Sequence, residues 1–168
     1  TPKVGFVCLL QISTVDRDYM IDGIKLHSVI PKYLTEIFAS ENIVKCFHGC
    51  DSDLKWLKSD FDIDVVNLFD TAKAMMIIMN DKTASSLSTV SCRYLNYALD
   101  KSFQQADWRV RPLPQGMMDY ARLDSSVLLY LWWAMIKELT PNQAIHLAKK
   151  LVKKSWRTVE KSNLPRIA

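Results

Sequence analysis

IVKCFHGCDSDLKWLKSDFDIDVVNLFD, residues 43–70, is the stretch whose reading decides the fold. Residues 43–47 and 65–69 are short apolar runs rich in β-formers, the length expected of buried strands. Between them Asp51 or Ser52 can cap a helix whose apolar positions Leu54, Leu57 and Phe61 fall on or near one face. A strand, a helix and a second strand in this order predict a pair of parallel strands joined by a helical crossover.

Working outward, residues 4–14 form an apolar run, and Tyr19 to Ile21 follows after the polar turn Asp16-Arg17-Asp18, which predicts a β-hairpin. Pro31 opens a helix with Tyr33, Leu34, Ile37 and Phe38 on one face, closing near Asn42. Downstream the pattern is helical over 71–79, 86–99, 115–139 and 141–161, with Pro112 and Pro114 as punctuation. Together these elements predict an α/β domain with a mixed sheet flanked by helices, antiparallel on one side and parallel on the other. No internal repeat or low-complexity tract interrupts it.

The chain has 168 residues, 49% of them apolar, enough for one buried core. No uninterrupted apolar stretch reaches the ~18–20 residues that cross a bilayer, so no membrane span is expected. Cys8, Cys46, Cys50 and Cys92 lie in apolar or helical stretches without a Cys-x-x-Cys pair, the pattern of reduced core thiols in an intracellular protein. The net charge of +4 says little about partners. Its distribution says more, because Lys149, Lys150, Lys153, Lys154, Arg157, Lys161 and Arg166 crowd the end of the chain. That cluster suits either a polyanion or a solvated helix face.

Tyr120 and Asp124 stand four positions apart on the longest predicted helix and share a face. A phenol beside a carboxylate can orient a water for hydrolysis; the same spacing also suits an ordinary amphipathic helix with a partly buried Tyr. Asp53 follows a strand end, where ligands of open α/β sheets gather. It could equally favour the helix N-terminus electrostatically, a contribution of ~0.3–1 kcal/mol. Asp70 is expected to cap the helix after it, Asp107 to cap a turn, Trp108 to pack under the long helix, and Arg111 to be structural. Met75, Met76 and Met79, with Ile77 and Ile78, read as helix core.

Motif order narrows these alternatives. Phe-His-Gly-x-x-x-Asp-x-x-Trp-Leu around Asp53, Leu-Phe-Asp-Thr at Asp70, Gln104-Gln105-Ala106-Asp107-Trp108-Arg109-Val110-Arg111-Pro112-Leu113, and Tyr120-Ala121-Arg122-Leu123-Asp124 together resemble the RNase D family. The likeness is greatest to its eukaryotic branch, the exoribonuclease associated with the nuclear exosome, and runs from Gly5 to about Asp124. It implies an RNase H-like (DnaQ-like) exonuclease fold with a DEDD-Y site over residues 1–140, and a basic helix and linker over 141–168. It also implies 3′→5′ hydrolysis of RNA to nucleoside 5′-monophosphates with two divalent ions, Mg²⁺ or Mn²⁺. In that pattern Asp53 and Asp124 are metal ligands, and Tyr120 orients the attacking water. Trp56, Lys101 and His48 lie against the RNA; Trp56 also reads as a half-buried helix residue, Lys101 as a solvated charge, and His48, close to the metal site, more readily as a core or supporting histidine. Single-stranded RNA 3′ ends, exosome subunits and a nuclear or nucleolar location follow from the same likeness.

One part of the pattern is missing. The family's Asp-x-Glu, carried on the strand before the hairpin, occurs nowhere in the 168 residues. The fold is therefore expected to lack its first, central strand, and the chain as it stands to be inactive. Either the motif lies upstream in the parent protein or the parent is a relic that binds RNA without cutting it. A DNA-directed nuclease of the same fold is the remaining alternative.

Overall fold

The computed structural model describes residues 6–152. The expected hairpin is present as β1 (Leu9–Ser13) and β2 (Asp18–Asp22), antiparallel, with Leu9 opposite Asp22 and Ser13 opposite Asp18. Its turn is fixed by Thr14, whose hydroxyl accepts from the backbone N–H groups of Asp16 and Arg17.

Helix α1 (Ile30–Ala39) starts with Pro31 in its first turn and buries Ile30, Leu34 and Phe38. Two of the four residues expected to face inward do not, because Tyr33 and Ile37 are exposed. The helix also stops before Asn42, since Ser40 turns to an extended backbone with ψ 129°. The buried Lys45 ammonium donates to the Ser40 carbonyl at 2.5 Å, a cation at the negative end of the helix. Burial lowers Lys45 to a pKa of about 8.

The crossover unit is β3 (Lys45–Phe47), α2 (Asp51–Phe61) and β4 (Leu68–Asp70), with the strands parallel and Phe47 opposite Asp70. Leu54, Leu57 and Phe61 are the buried face of α2, as their spacing predicts. Helices α3 (Thr71–Ile78), α4 (Leu87–Leu95), α5 (Gln115–Glu138) and α6 (Pro141–Val152) complete the described chain. The side chain of Asp70 caps α3 as expected, accepting from the N–H groups of Ala72 and Lys73. Met75 is core, whereas Met79 lies past the end of α3 and is exposed. Of the cysteines, Cys50 is buried and Cys92 is exposed; all four are free thiols. Ala121, Leu131 and Met135 of α5 are fully buried, and each large apolar side chain so placed contributes about 1.5–3 kcal/mol. Leu147 and Leu151 of α6 join the same core. Beyond residue 152, the basic cluster lies outside the described residues.

The two strand pairs are not hydrogen-bonded to each other, so the expected mixed sheet is divided into an antiparallel half and a parallel half. A slot of about 880 Å³ separates them. Every residue of β1 and of β3 lines it. Consecutive strand residues point to opposite faces, so a void touching all of them lies along the strand edges rather than under a face. Leu34 and Phe38 of α1 and Leu128 of α5 also line it. Ile43 and Val44, just ahead of β3, line it too and are about half exposed.

Candidate active site

The turn between β3 and α2 is built by long-range contacts. Gly49 adopts φ +67°, which an L side chain rarely takes. The chain reverses there, and the N–H groups of Gly49 and Cys50 donate to the Asp70 carboxylate at 3.0 and 3.1 Å. Neither Asp51 nor Ser52 caps α2. The cap position belongs to Cys50, which makes no side-chain cap bond; Asp70, at the end of the neighbouring strand, supplies the missing acceptor.

Asp70 is fully buried and also takes the Lys73 ammonium at 2.8 Å. Burial opposes its charge, yet the Lys73 bond and the backbone N–H groups prevail and hold its pKa at about 2. Lys73 bridges onward to Asp51 at 3.1 Å. Beside this network His48 Nδ1 lies 2.8 Å from the Thr71 hydroxyl, which donates to the Phe47 carbonyl. Burial lowers the His48 pKa. Lys73 and Thr71 escaped the sequence reading, though the Asp-x-x-Lys spacing from Asp70 to Lys73 was an available signal.

His48, Asp53 and Trp56, on and just after this turn, line the slot, as does Asp124 of α5. The two carboxylates therefore share one cavity. Asp53 has a raised pKa, first through burial against the slot wall and then through Asp70. Asp124 is likewise raised by burial, which outweighs the lowering influence of the neighbouring Tyr120 hydroxyl. Tyr120 itself is pushed up to about 12 by burial and the Asp124 charge. Its ring packs against Phe103 and Trp108, with centroids at 5.9 and 6.0 Å. Trp108 thus packs beneath the long helix as expected, and Asp107 holds its turn by accepting from the Arg109 N–H at 3.1 Å. Lys101 is exposed and does not line the slot; it stands two residues before Phe103.

Asp53 and Asp124 offer hard oxygen donors of the kind Mg²⁺ and Mn²⁺ prefer. Two carboxylates fall short of a two-ion site, and among the described residues no three His, Cys, Asp or Glu side chains converge to hold a metal. Also among the described residues, no helix is long and apolar enough to cross a membrane.

Comparison with known proteins decides the family. Residues 2–140 match a 3′-5′ exonuclease domain model. The chain belongs to that 3′-5′ exonuclease family. Human exosome complex component 10 is 43% identical over 136 residues, 81% of this chain and 15% of the human protein. The catalytic core of RRP6 from Trypanosoma brucei superposes with a TM-score of 0.81 at 36% identity, over 90% of this chain and 42% of that one. Escherichia coli RNase D shares the fold, with a TM-score of 0.74 at 22% identity, over 87% of this chain and 38% of that one. The chain spans between 14% and 21% of the leading curated relatives it matches. The RNase D likeness and the RNase H-like fold read from the sequence are borne out, and exonuclease domains of this family generally depend on divalent metals.

Proposed function

We propose that the protein carrying this exonuclease domain is an exoribonuclease. It hydrolyses single-stranded RNA stepwise from the 3′ end and releases nucleoside 5′-monophosphates. The observation that carries the proposal is that Asp53 and Asp124 line one cavity, with Tyr120 one helical turn before Asp124 on α5. Asp53 and Asp124 are the metal ligands of this reading, with Mg²⁺ or Mn²⁺ neutralising the phosphate when bound. The Tyr120 hydroxyl orients the attacking water beside Asp124. Trp56, which also lines the slot, stacks on a terminal base, a contact worth ~1–3 kcal/mol and indifferent to sequence. His48, anchored to Thr71, lies near the terminal nucleotide, and Lys101 meets the RNA backbone.

The two missing ligands belong to the slot. An Asp-x-Glu on a strand seated between β1 and β3 would turn both carboxylates to one face, because residues i and i+2 of a strand point the same way. That strand would also satisfy the open backbone edges of β1 and β3. Relatives that are exosome components support a role in RNA processing with exosome subunits and a nuclear location.

The other readings are an RNA-binding module that does not cut and a DNA-directed nuclease of the same fold. Incubating the whole protein with 5′-labelled RNA or DNA oligonucleotides and Mg²⁺ separates the possibilities. The proposal expects a ladder shortening from the RNA 3′ end, with mononucleotide products. RNA bound but uncut would establish the binding module, and DNA cut in preference to RNA would establish a DNA-directed nuclease.

A further inference from the structure

Arg111 makes more hydrogen bonds than a surface arginine needs. Its Nε and one terminal nitrogen donate to the two Asp22 oxygens at 2.7 and 3.0 Å. The same nitrogen donates to the Cys8 carbonyl at 2.8 Å, and the other donates to the carbonyls of Trp108 and Val110, both at 2.8 Å. One guanidinium thus ties the loop before α5 to the start of β1 and the end of β2. Asp22 is itself fixed, accepting from the N–H groups of Ile24 and Lys25, both at 3.0 Å. Gly23 lies so close beneath this junction that a Cβ there would come within 2.4 Å of the Val7 carbonyl oxygen, which leaves the hairpin end little room to shift.

The loop held in this way carries the two rings that touch Tyr120. Trp108, its own carbonyl bound by Arg111, and Phe103 both pack against the Tyr120 ring. Phe103 is wedged against the first turn of α5, where a Cβ on Gly116 would meet its ring at 3.2 Å. The phenol ring is therefore packed from outside its own helix, and it stands one helical turn before Asp124 on α5.

We propose that Arg111 is a positioning residue for Tyr120: by clamping the loop to Asp22 and Cys8 it seats Trp108 and Phe103 so that the Tyr120 hydroxyl stays beside Asp124. This rests on the catalytic reading of Tyr120 given above. Lysine cannot replace the clamp, because an ammonium lacks the planar fork that meets both carboxylate oxygens.

The test is a double-mutant cycle in the whole protein, with kcat and KM measured on single-stranded RNA for Arg111→Lys, Tyr120→Phe and the double variant. Misplacing a positioned group costs rate rather than binding, so Arg111→Lys should lower kcat about tenfold and change KM less than about twofold. In the Tyr120→Phe background the same substitution should change kcat less than about twofold, since no hydroxyl is left to aim. An equal loss in both backgrounds would assign Arg111 to the fold alone and overturn the proposal, as would an unchanged kcat for Arg111→Lys. If Tyr120→Phe itself leaves kcat intact, the catalytic reading fails first and takes this inference with it. Should Arg111→Lys not fold, Phe103→Leu replaces it in the cycle: the same non-additivity supports the proposal, and additivity removes it.

Discussion

Replacing Asp70 by Asn removes the group on which the β3–α2 turn depends. Asp70 accepts five bonds, from the N–H groups of Gly49, Cys50, Ala72 and Lys73 and from the Lys73 ammonium. If the Asn oxygen takes the Oδ1 place, its amide faces the Cys50 N–H and the Lys73 ammonium, donor against donor. Two bonds are lost, one of them to a cation, and Lys73 is left poorly neutralised, a combined cost of roughly 3–5 kcal/mol. The carboxylate charge gives a separate scale. The group titrates at about 2 in the fold against the usual 3.8, which corresponds to about 2.5 kcal/mol of stability at neutral pH. Because the folded value is the lower one, this stabilisation is complete above the ordinary carboxylate range and fades as pH falls toward 2; about half is gone near pH 3. Urea unfolding of wild type and Asp70→Asn at pH 7 and at about pH 3 should show a large gap that narrows by ~1 kcal/mol on acidification. A gap below ~0.5 kcal/mol at pH 7 would refute the claim that this aspartate holds the turn.

Asp124→Asn should abolish RNA cleavage with RNA affinity changed less than about threefold, measured by filter binding beside the cleavage assay. Asp53 and Asp124 both have pKa values raised by burial, so their ionised forms cost stability that appears as pH rises through the ordinary carboxylate range. Asp124→Asn should therefore raise the Tm at pH 7 and lose that advantage in acid, a trend readable by calorimetry. Trp56→Ala should raise KM for RNA roughly 5- to 100-fold with kcat little changed.

The sequence announced the elements whose signal is local. Alternating and helical periodicities located the hairpin, the crossover unit and the long helix, and Asp70 was recognisable as a cap from its place ahead of Thr71. It did not show that the two strand pairs stand apart, because that depends on what occupies the position between β1 and β3. For the site, Asp53, Tyr120 and Asp124 were legible as motifs, and the slot that Asp53 and Asp124 share follows from the packing of α5 against β1, β2 and β3. The turn chemistry was misread: Asp51 and Ser52 had the composition of caps, but a buried carboxylate 20 residues away from Cys50 took the role. Arg111 could be named as structural, but nothing in its neighbourhood revealed Asp22, which lies 89 residues distant.

The central claim is that Asp53 and Asp124 hold divalent cations together. Mn²⁺ titration of the whole protein, followed by electron paramagnetic resonance, tests it without requiring turnover. The account predicts that Asp53→Asn and Asp124→Asn each weaken or remove ion binding seen in the parent; parental affinity and stoichiometry in both variants would contradict it.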